Sequence, residues 1–346
     1  MTPMSDNPLG LDGFAFAEFT SPDPQAMGAQ LEQLGFTAAA RHPTRPLTLY
    51  RQGRIQFLLN AGGGQAKAFR DVHGPSANGM AFRVTDAARA YEAAVAAGAK
   101  TADPMQGALG PNSYALEGIG GAFLYLVEAD PFAGWREIPG WRQAAATNGV
   151  GLDLLDHLTH NVARGHMRDW TGFYERLFGF TEQKFFEIKG QATGLISQAM
   201  IAPDHAIRIP INESQDDKSQ IEEFLRQYNG EGIQHLALTT DDIYATVEAL
   251  RARGVRLQDT PETYYELVDK RVPGHREDLE RMTRNRILID GDTGDQGLLL
   301  QIFTEPVFGP IFFEIIQRKG NDGFGAGNFQ ALFESIELDQ MRRGVI

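Results

Sequence analysis

The sequence predicts an α+β protein of two domains, each made of paired βαβββ modules that curl into a half-open barrel. Short apolar strands alternate with amphipathic helices that stop at glycines, and the order of these signals repeats in the two halves. At 346 residues the chain exceeds one ordinary core and divides into two domains of about 150 residues.

Each half opens on an apolar strand, Gly13 to Phe19 and Leu155 to Asn161. An amphipathic helix follows, with Met27, Leu31 and Leu34 on one face in the first half and Met167, Trp170, Phe173 and Leu177 in the second. Gly35 and Gly179 end these helices, where a left-handed cap carries no Cβ strain. A second strand and helix recur later in each half: Met80 to Val84 before Asp86 to Ala97, and His235 to Thr239 before Asp242 to Arg253. Runs such as Leu47 to Tyr50, Ile55 to Leu59, Ala122 to Glu128, Ala206 to Ile211, Leu298 to Phe303 and Ile311 to Ile316 supply the remaining strands.

Residues 129–149, with two prolines, three glycines and the Trp135/Trp141 pair, read as a linker, which places the boundary near Gly149. The domains are then 1–149 and 150–346. After the glycine-rich hinge from Gly320 to Gly327, a terminal helix is expected over 329–342, its stripe of Phe329, Leu332, Phe333 and Ile336 suited to a lid.

A net charge of -13 repels a phosphate backbone or an anionic membrane, so nucleic acid is not an expected partner. The absence of cysteine removes disulfides, thiolate metal sites and cysteine nucleophiles, and fits a reducing compartment. No leader pattern opens the chain, and no apolar run approaches the roughly 20 residues that span a bilayer. A cytoplasmic protein is expected.

Two histidines and a glutamate give the second half its chemistry. Aligning Leu34-Gly35-Phe36-Thr37 with Phe178-Gly179-Phe180-Thr181 sets Gly13 opposite His157, and aligning Gly79-Met80-Ala81-Phe82 with His235-Leu236-Ala237-Leu238 sets Gly79 opposite His235. The ligand-type residues are thus additions to a scaffold that folds without them. Strand alternation turns Leu155, His157 and Thr159 to one face and His160 to the other. Glu314 interrupts the apolar strand Ile311 to Ile316, where an unpaired carboxylate requires a cation or a proton. A salt bridge to Arg318 is the competing reading. Glu305 precedes a turn proline, and Asp241 and Asp242 suit helix caps better. His157, His235 and Glu314 match the facial trio of non-haem Fe(II) oxygenases, but zinc takes the same ligand types, so the trio predicts a metal rather than a reaction.

Around these residues run the stretches Leu155-Asp156-His157-Leu158-Thr159-His160-Asn161, Pro210-Ile211-Asn212-Glu213, Gly230-Glu231-Gly232-Ile233-Gln234-His235, Pro261-Glu262-Thr263-Tyr264-Tyr265, Leu299-Leu300-Gln301-Ile302-Phe303, Phe312-Phe313-Glu314-Ile315-Ile316-Gln317-Arg318 and Gly325-Ala326-Gly327-Asn328-Phe329. With them the chain resembles the 4-hydroxyphenylpyruvate dioxygenases of the vicinal-oxygen-chelate (glyoxalase/bleomycin-resistance/extradiol-dioxygenase-like) superfamily, densely from Leu155 onward and more loosely before it. The resemblance implies Fe(II) held by His157, His235 and Glu314, with 4-hydroxyphenylpyruvate chelating through its 2-oxo acid and O2 as co-substrate. It implies oxidative decarboxylation, ring hydroxylation and side-chain migration to homogentisate in tyrosine catabolism, and a homo-oligomer, a tetramer before a dimer.

The resemblance also implies a pocket of neutral amides, Gln220, Gln234, Gln301, Asn212 and Asn328, with Ser197, which bind substrate oxygens without adding charge. Gln220 and Gln301 would join the metal ligands in catalysis. Phe303, Phe312, Phe329 and Phe333 would wall the ring and keep water out. Gln234 adjoins His235 and faces away from it unless the backbone bends, in which case it orients the ligand. The alternatives are a hydroxymandelate synthase, which oxidises the benzylic carbon, and a metal-free binding protein of the same superfamily.

Overall fold

The computed structural model describes residues 7–189, 194–328, 330 and 331. Its first half runs β1 (Leu11–Thr20), α1 (Pro24–Gln33), β2 (Thr37–Arg41), β3 (Leu47–Gln52), β4 (Ile55–Asn60), α2 (Gly64–His73), β5 (Ser76–Val84), α3 (Ala87–Ala96), β6 (Tyr114–Glu117), β7 (Phe123–Val127), β8 (Arg136–Glu137) and α4 (Trp141–Asn148). The second runs β9 (Leu152–Val162), α5 (Met167–Phe178), β10 (Thr181–Lys189), β11 (Gly194–Ile201), β12 (Arg208–Ser214), α6 (Gln220–Tyr228), β13 (Gly232–Thr240) and α7 (Ile243–Ala252). It continues through the short helices α8 (Glu262–Glu266), α9 (Val268–Arg271) and α10 (Leu279–Asn285) to β14 (Leu288–Gly291), β15 (Leu298–Phe303) and β16 (Phe312–Lys319).

Local chemistry sets the helix starts. The carboxylates of Asp23, Asp86 and Asp242 accept from the backbone N–H of Ala26, Arg89 and Ala245, satisfying donors that the first turn leaves free. Gly179 ends α5 with φ 71, in the left-handed region predicted for it.

Two eight-stranded sheets result, ordered β6-β7-β5-β1-β4-β3-β2-β8 and β10-β11-β12-β9-β13-β16-β15-β14. In each, the opening strands of the two modules pair antiparallel at the centre, β1 with β5 and β9 with β13. Each module closes by laying its last strand parallel to its first: β4 on β1, β7 on β5, β12 on β9 and β16 on β13. One module departs from the βαβββ pattern. After α3 its second strand shrinks to the single bridge Thr101 to Leu116. The stretch read as linker is also more ordered than its composition suggested, because β8 pairs with β2 and α4 follows it. Of the expected terminal helix over 329–342, only Gln330 and Ala331 are among the described residues, both helical; Phe329 and Phe333 lie outside them.

The sheet register corrects the internal alignment. His157 pairs with Ala237, which pairs with Glu314; in the first sheet Phe16 pairs with Ala81, which pairs with Tyr125. Phe16, not Gly13, therefore stands in the place of His157, and Tyr125 in that of Glu314. Gly79 keeps its place opposite His235, since they pair with Phe123 and Phe312 respectively. The ungapped alignment failed because Thr20 to Gly35 is a shorter stretch than Asn161 to Gly179. The Phe16 ring lies 5.6 Å from Tyr125 and 5.3 Å from Phe132, so aromatic packing fills in the first half the space that the second half gives to chemistry.

One apolar core spans both halves. Fully buried Phe313 of β16 lies 5.9 Å from Phe57, 6.4 Å from Phe19 and 5.6 Å from Phe308. Phe313→Ala is expected to cost about 3–5 kcal/mol through lost transfer energy and an uncollapsed cavity. Urea unfolding checks this; a loss below about 1 kcal/mol would mean that the halves do not share this core.

Candidate metal centre

Three neighbouring strands deliver the trio. The Nε2 of His157 (β9) lies 3.2 Å, and that of His235 (β13) 3.6 Å, from Oε2 of Glu314 (β16). One ligand atom from each residue falls within 4.8 Å of the others. The site is deeply buried, with His157 2% and Glu314 3% exposed.

Each imidazole is oriented through its other nitrogen. Nδ1 of His157 donates to Oδ1 of Asp156 at 2.8 Å, and Nδ1 of His235 donates to Oε1 of Gln234 at 2.9 Å. Both Nε2 lone pairs therefore turn inward; Thr159 Oγ1 lies 3.0 Å from that of His235. Arg318 donates to Asp156 from both Nε and Nη2 at 2.8 Å, and its Nη1 reaches the carbonyls of Asn321 and Gly323. The expected competitor for Glu314 is thus engaged by a different carboxylate.

Two β-bulges explain how neighbouring residues serve one site. The β9/β13 register slips at Asp156 and at Gln234, so each side chain leaves strict alternation and sits beside the histidine that follows it. The bend needed at Gln234 is present. The same slip at Asp156 breaks the predicted face: His157 and Thr159 line the cavity, while Leu155 joins the apolar core. His160 faces away, its Nε2 2.7 Å from the Tyr174 hydroxyl, and burial pushes its pKa down to about 3.

Burial opposes charge on Asp156, but the Arg318 guanidinium and the His157 ring outweigh it and hold the carboxyl well below its ordinary range. Burial also disfavours a charged His157, yet Glu314 and Asp156 on either side raise its pKa. His235 is pushed well below its usual value by burial and by His157. Oε1 of Glu314 is buried with no hydrogen-bond partner among the described residues. Three inward-facing lone-pair donors and an orphaned carboxylate oxygen fit a divalent cation bound by two nitrogens and an oxygen, with positions left open.

A cavity of about 180 Å³ opens from the trio. Ser197, Asn212, Gln220, Gln234, Gln301, Phe303, Phe312 and Asn328 all line it, so the structure brings together every predicted pocket residue within the described range. Gln220 stands exposed at the first turn of α6, whereas Gln301 is 1% exposed at the inner wall. Phe312 stacks on the His235 ring at 4.9 Å, and Asn212 donates to Asn161. Sequence reasoning missed Asp156 as the partner of His157, and Phe324, whose ring lies 5.3 Å from the His157 ring. The signal for Asp156 was present, because it interrupts an apolar run as Glu314 does.

Residues 5–136 match the family model described as the N-terminal part of hydroxyphenylpyruvate dioxygenase, and residues 154–267 match the glyoxalase/bleomycin resistance protein/dioxygenase superfamily. A 4-hydroxyphenylpyruvate dioxygenase of Pseudomonas aeruginosa is 55% identical, over 98% of this chain and 97% of its own. The hemolysin VllY of Vibrio vulnificus is 54% identical over 98% of each. Among solved structures, a mutant of 4-hydroxymandelate synthase from Streptomyces coelicolor superposes with a TM-score of 0.81 at 28% identity, covering 96% of this chain and 99% of that one.

Proposed function

The chain belongs to the 4-hydroxyphenylpyruvate dioxygenase family, and from that premise we propose that it converts 4-hydroxyphenylpyruvate and O2 to homogentisate and CO2 at a ferrous ion held by His157, His235 and Glu314. The observation that carries the metal assignment is the Glu314 carboxylate, buried in an apolar strand, facing two imidazoles and leaving one oxygen unpartnered. Bound there, the ion would supply Lewis-acid and redox chemistry toward a 2-oxo acid and O2.

The protein's own groups do the rest. Asp156, fixed by Arg318, holds His157 in the tautomer that presents Nε2, and Gln234 does the same for His235. Ser197, Asn212, Gln220, Gln301 and Asn328 offer neutral hydrogen-bonding groups to the substrate's oxygens. Phe303, Phe312 and Phe324 wall the ring and keep the reaction dry. Decarboxylation of the substrate's own 2-oxo acid supplies two electrons and ring hydroxylation the other two, so both oxygen atoms enter the product and no outside reductant is needed. The chemistry is assigned to residues 150–346 and a supporting role to 1–149, whose equivalent site is filled by Phe16 and Tyr125. The absence of cysteine supports a reducing cytoplasm, and a homo-oligomer, with a tetramer favoured, goes with the family membership. No helix among the described residues is long and apolar enough to cross a membrane.

Incubation of the iron-loaded protein with 4-hydroxyphenylpyruvate in air is expected to yield homogentisate. Chromatography showing 4-hydroxymandelate as the main product would overturn the ring-hydroxylation reading in favour of benzylic oxidation.

A further inference from the structure

The Gln301 amide in the cavity wall has a nearly symmetrical shape, and what fixes its direction lies outside the cavity. Oε1 of Gln301 accepts from Nδ2 of Asn328 at 3.1 Å. Oδ1 of Asn328 accepts from the Tyr264 hydroxyl at 2.6 Å and from Nη1 of Arg271 at 3.3 Å. Nη2 of Arg271 also donates to that hydroxyl, at 2.6 Å, and the backbone N–H of Ile289 donates to it at 2.9 Å. Tyr264 is fully buried and Asn328 is 2% exposed.

A guanidinium can only donate. The Asn328 atom facing Arg271 must therefore be the oxygen, which turns the Asn328 nitrogen to Gln301 and the Gln301 oxygen to Asn328. The Gln301 NH2 is left for the cavity. Tyr264 reinforces the order: its lone pairs receive Arg271 Nη2 and the Ile289 N–H, and its one proton has two acceptors, the Ile289 carbonyl at 3.1 Å and the nearer Oδ1 of Asn328 at 2.6 Å. Burial pushes the hydroxyl's pKa up to about 12, so that proton stays. Behind the amide, a Cβ at Gly325 would collide with Oε1 of Gln301, and Gly325 has φ +72, so the backbone there also fits this placement.

Strand register says what the NH2 meets. Phe303 lies opposite Glu314 on β16, and Gln301 lies opposite Ile316, one same-face step further from the metal. A substrate chelating at the trio through its 2-oxo acid would have the cavity past Phe303, toward Gln301, in which to lay its ring. We propose that Arg271 and Tyr264, neither of which lines the cavity, are positioning residues that lock Gln301 as the hydrogen-bond donor to the substrate's ring oxygen. The inference rests on the substrate assigned above.

Calorimetry under nitrogen on the iron-loaded enzyme tests it, comparing 4-hydroxyphenylpyruvate with phenylpyruvate, which lacks the ring oxygen. The unsubstituted enzyme should favour the hydroxylated ligand. Arg271→Met and Tyr264→Phe should each shrink the Kd ratio by about tenfold, the value of one hydrogen bond, while phenylpyruvate binding shifts less than about threefold. Asn328→Asp has nearly the same shape but cannot donate, so it should draw the Gln301 NH2 away from the cavity and abolish the preference. A ratio near one in the unsubstituted enzyme, or equal weakening of both ligands in the variants, overturns the relay. Turnover in air is measured alongside: its absence in the unsubstituted enzyme removes the substrate assignment and the relay with it, whereas retained turnover with an unchanged ratio in the variants removes the relay alone.

Discussion

Glu314→Gln is expected to yield a folded protein that retains no iron after dialysis and loses oxygen uptake by more than about a hundredfold. Removing a mere hydrogen-bonding neighbour of a metal ligand commonly costs 10–100-fold, and loss of a ligand's charge must exceed that. The substitution is nearly isosteric, so packing beside Ala237 is kept while the anionic oxygen facing His157 and His235 disappears. His157→Ala should act the same way on iron. Metal content after anaerobic loading, oxygen uptake and a melting curve together check the prediction. Retention of iron and at least half the activity in either variant would remove that residue from the ligand set.

Asp156→Ala carries the second large effect, and it has two parts. The Arg318 guanidinium, 15% exposed, loses its carboxylate, and stranding one partner of a buried ion pair costs about 3–5 kcal/mol. His157 loses the acceptor that fixes its tautomer, which should weaken iron binding by about 10–100-fold. Urea unfolding of the metal-free protein reads the first part and an iron titration the second. A stability loss with iron affinity unchanged would show that Asp156 anchors the strand and not the ligand.

Much of this was legible because its causes are local. Glycine ends α5 because a left-handed residue there carries no side-chain strain, aspartate begins α3 and α7 because it satisfies free N–H groups, and Glu314 stands out because a charge among apolar neighbours requires a partner. The failures come from geometry that depends on a second strand. Alternation along β9 predicts that Leu155 shares a face with His157, but the bulge at Asp156 appears only once β13 is paired against it. The same holds for Gln234, which alternation alone turns away from its own histidine. Phe16 was missed as the counterpart of His157 because the connection and helix that follow the opening strand are together longer in the second half, a difference that ungapped comparison cannot register. The relay from Tyr264 and Arg271 through Asn328 to Gln301 joins three stretches distant in sequence, and nothing local marks it.

The central claim is that two imidazoles and one carboxylate hold the ion that runs the reaction. Anaerobic titration of the metal-free chain with Fe(II), followed by exposure to air and a limiting amount of 4-hydroxyphenylpyruvate, tests it most directly. The expected result is a single tightly held iron per chain, oxygen consumed in equal amount to homogentisate formed, and neither in a protein carrying His157→Ala, His235→Ala and Glu314→Gln together. Equal iron uptake and turnover in that triple variant would contradict it.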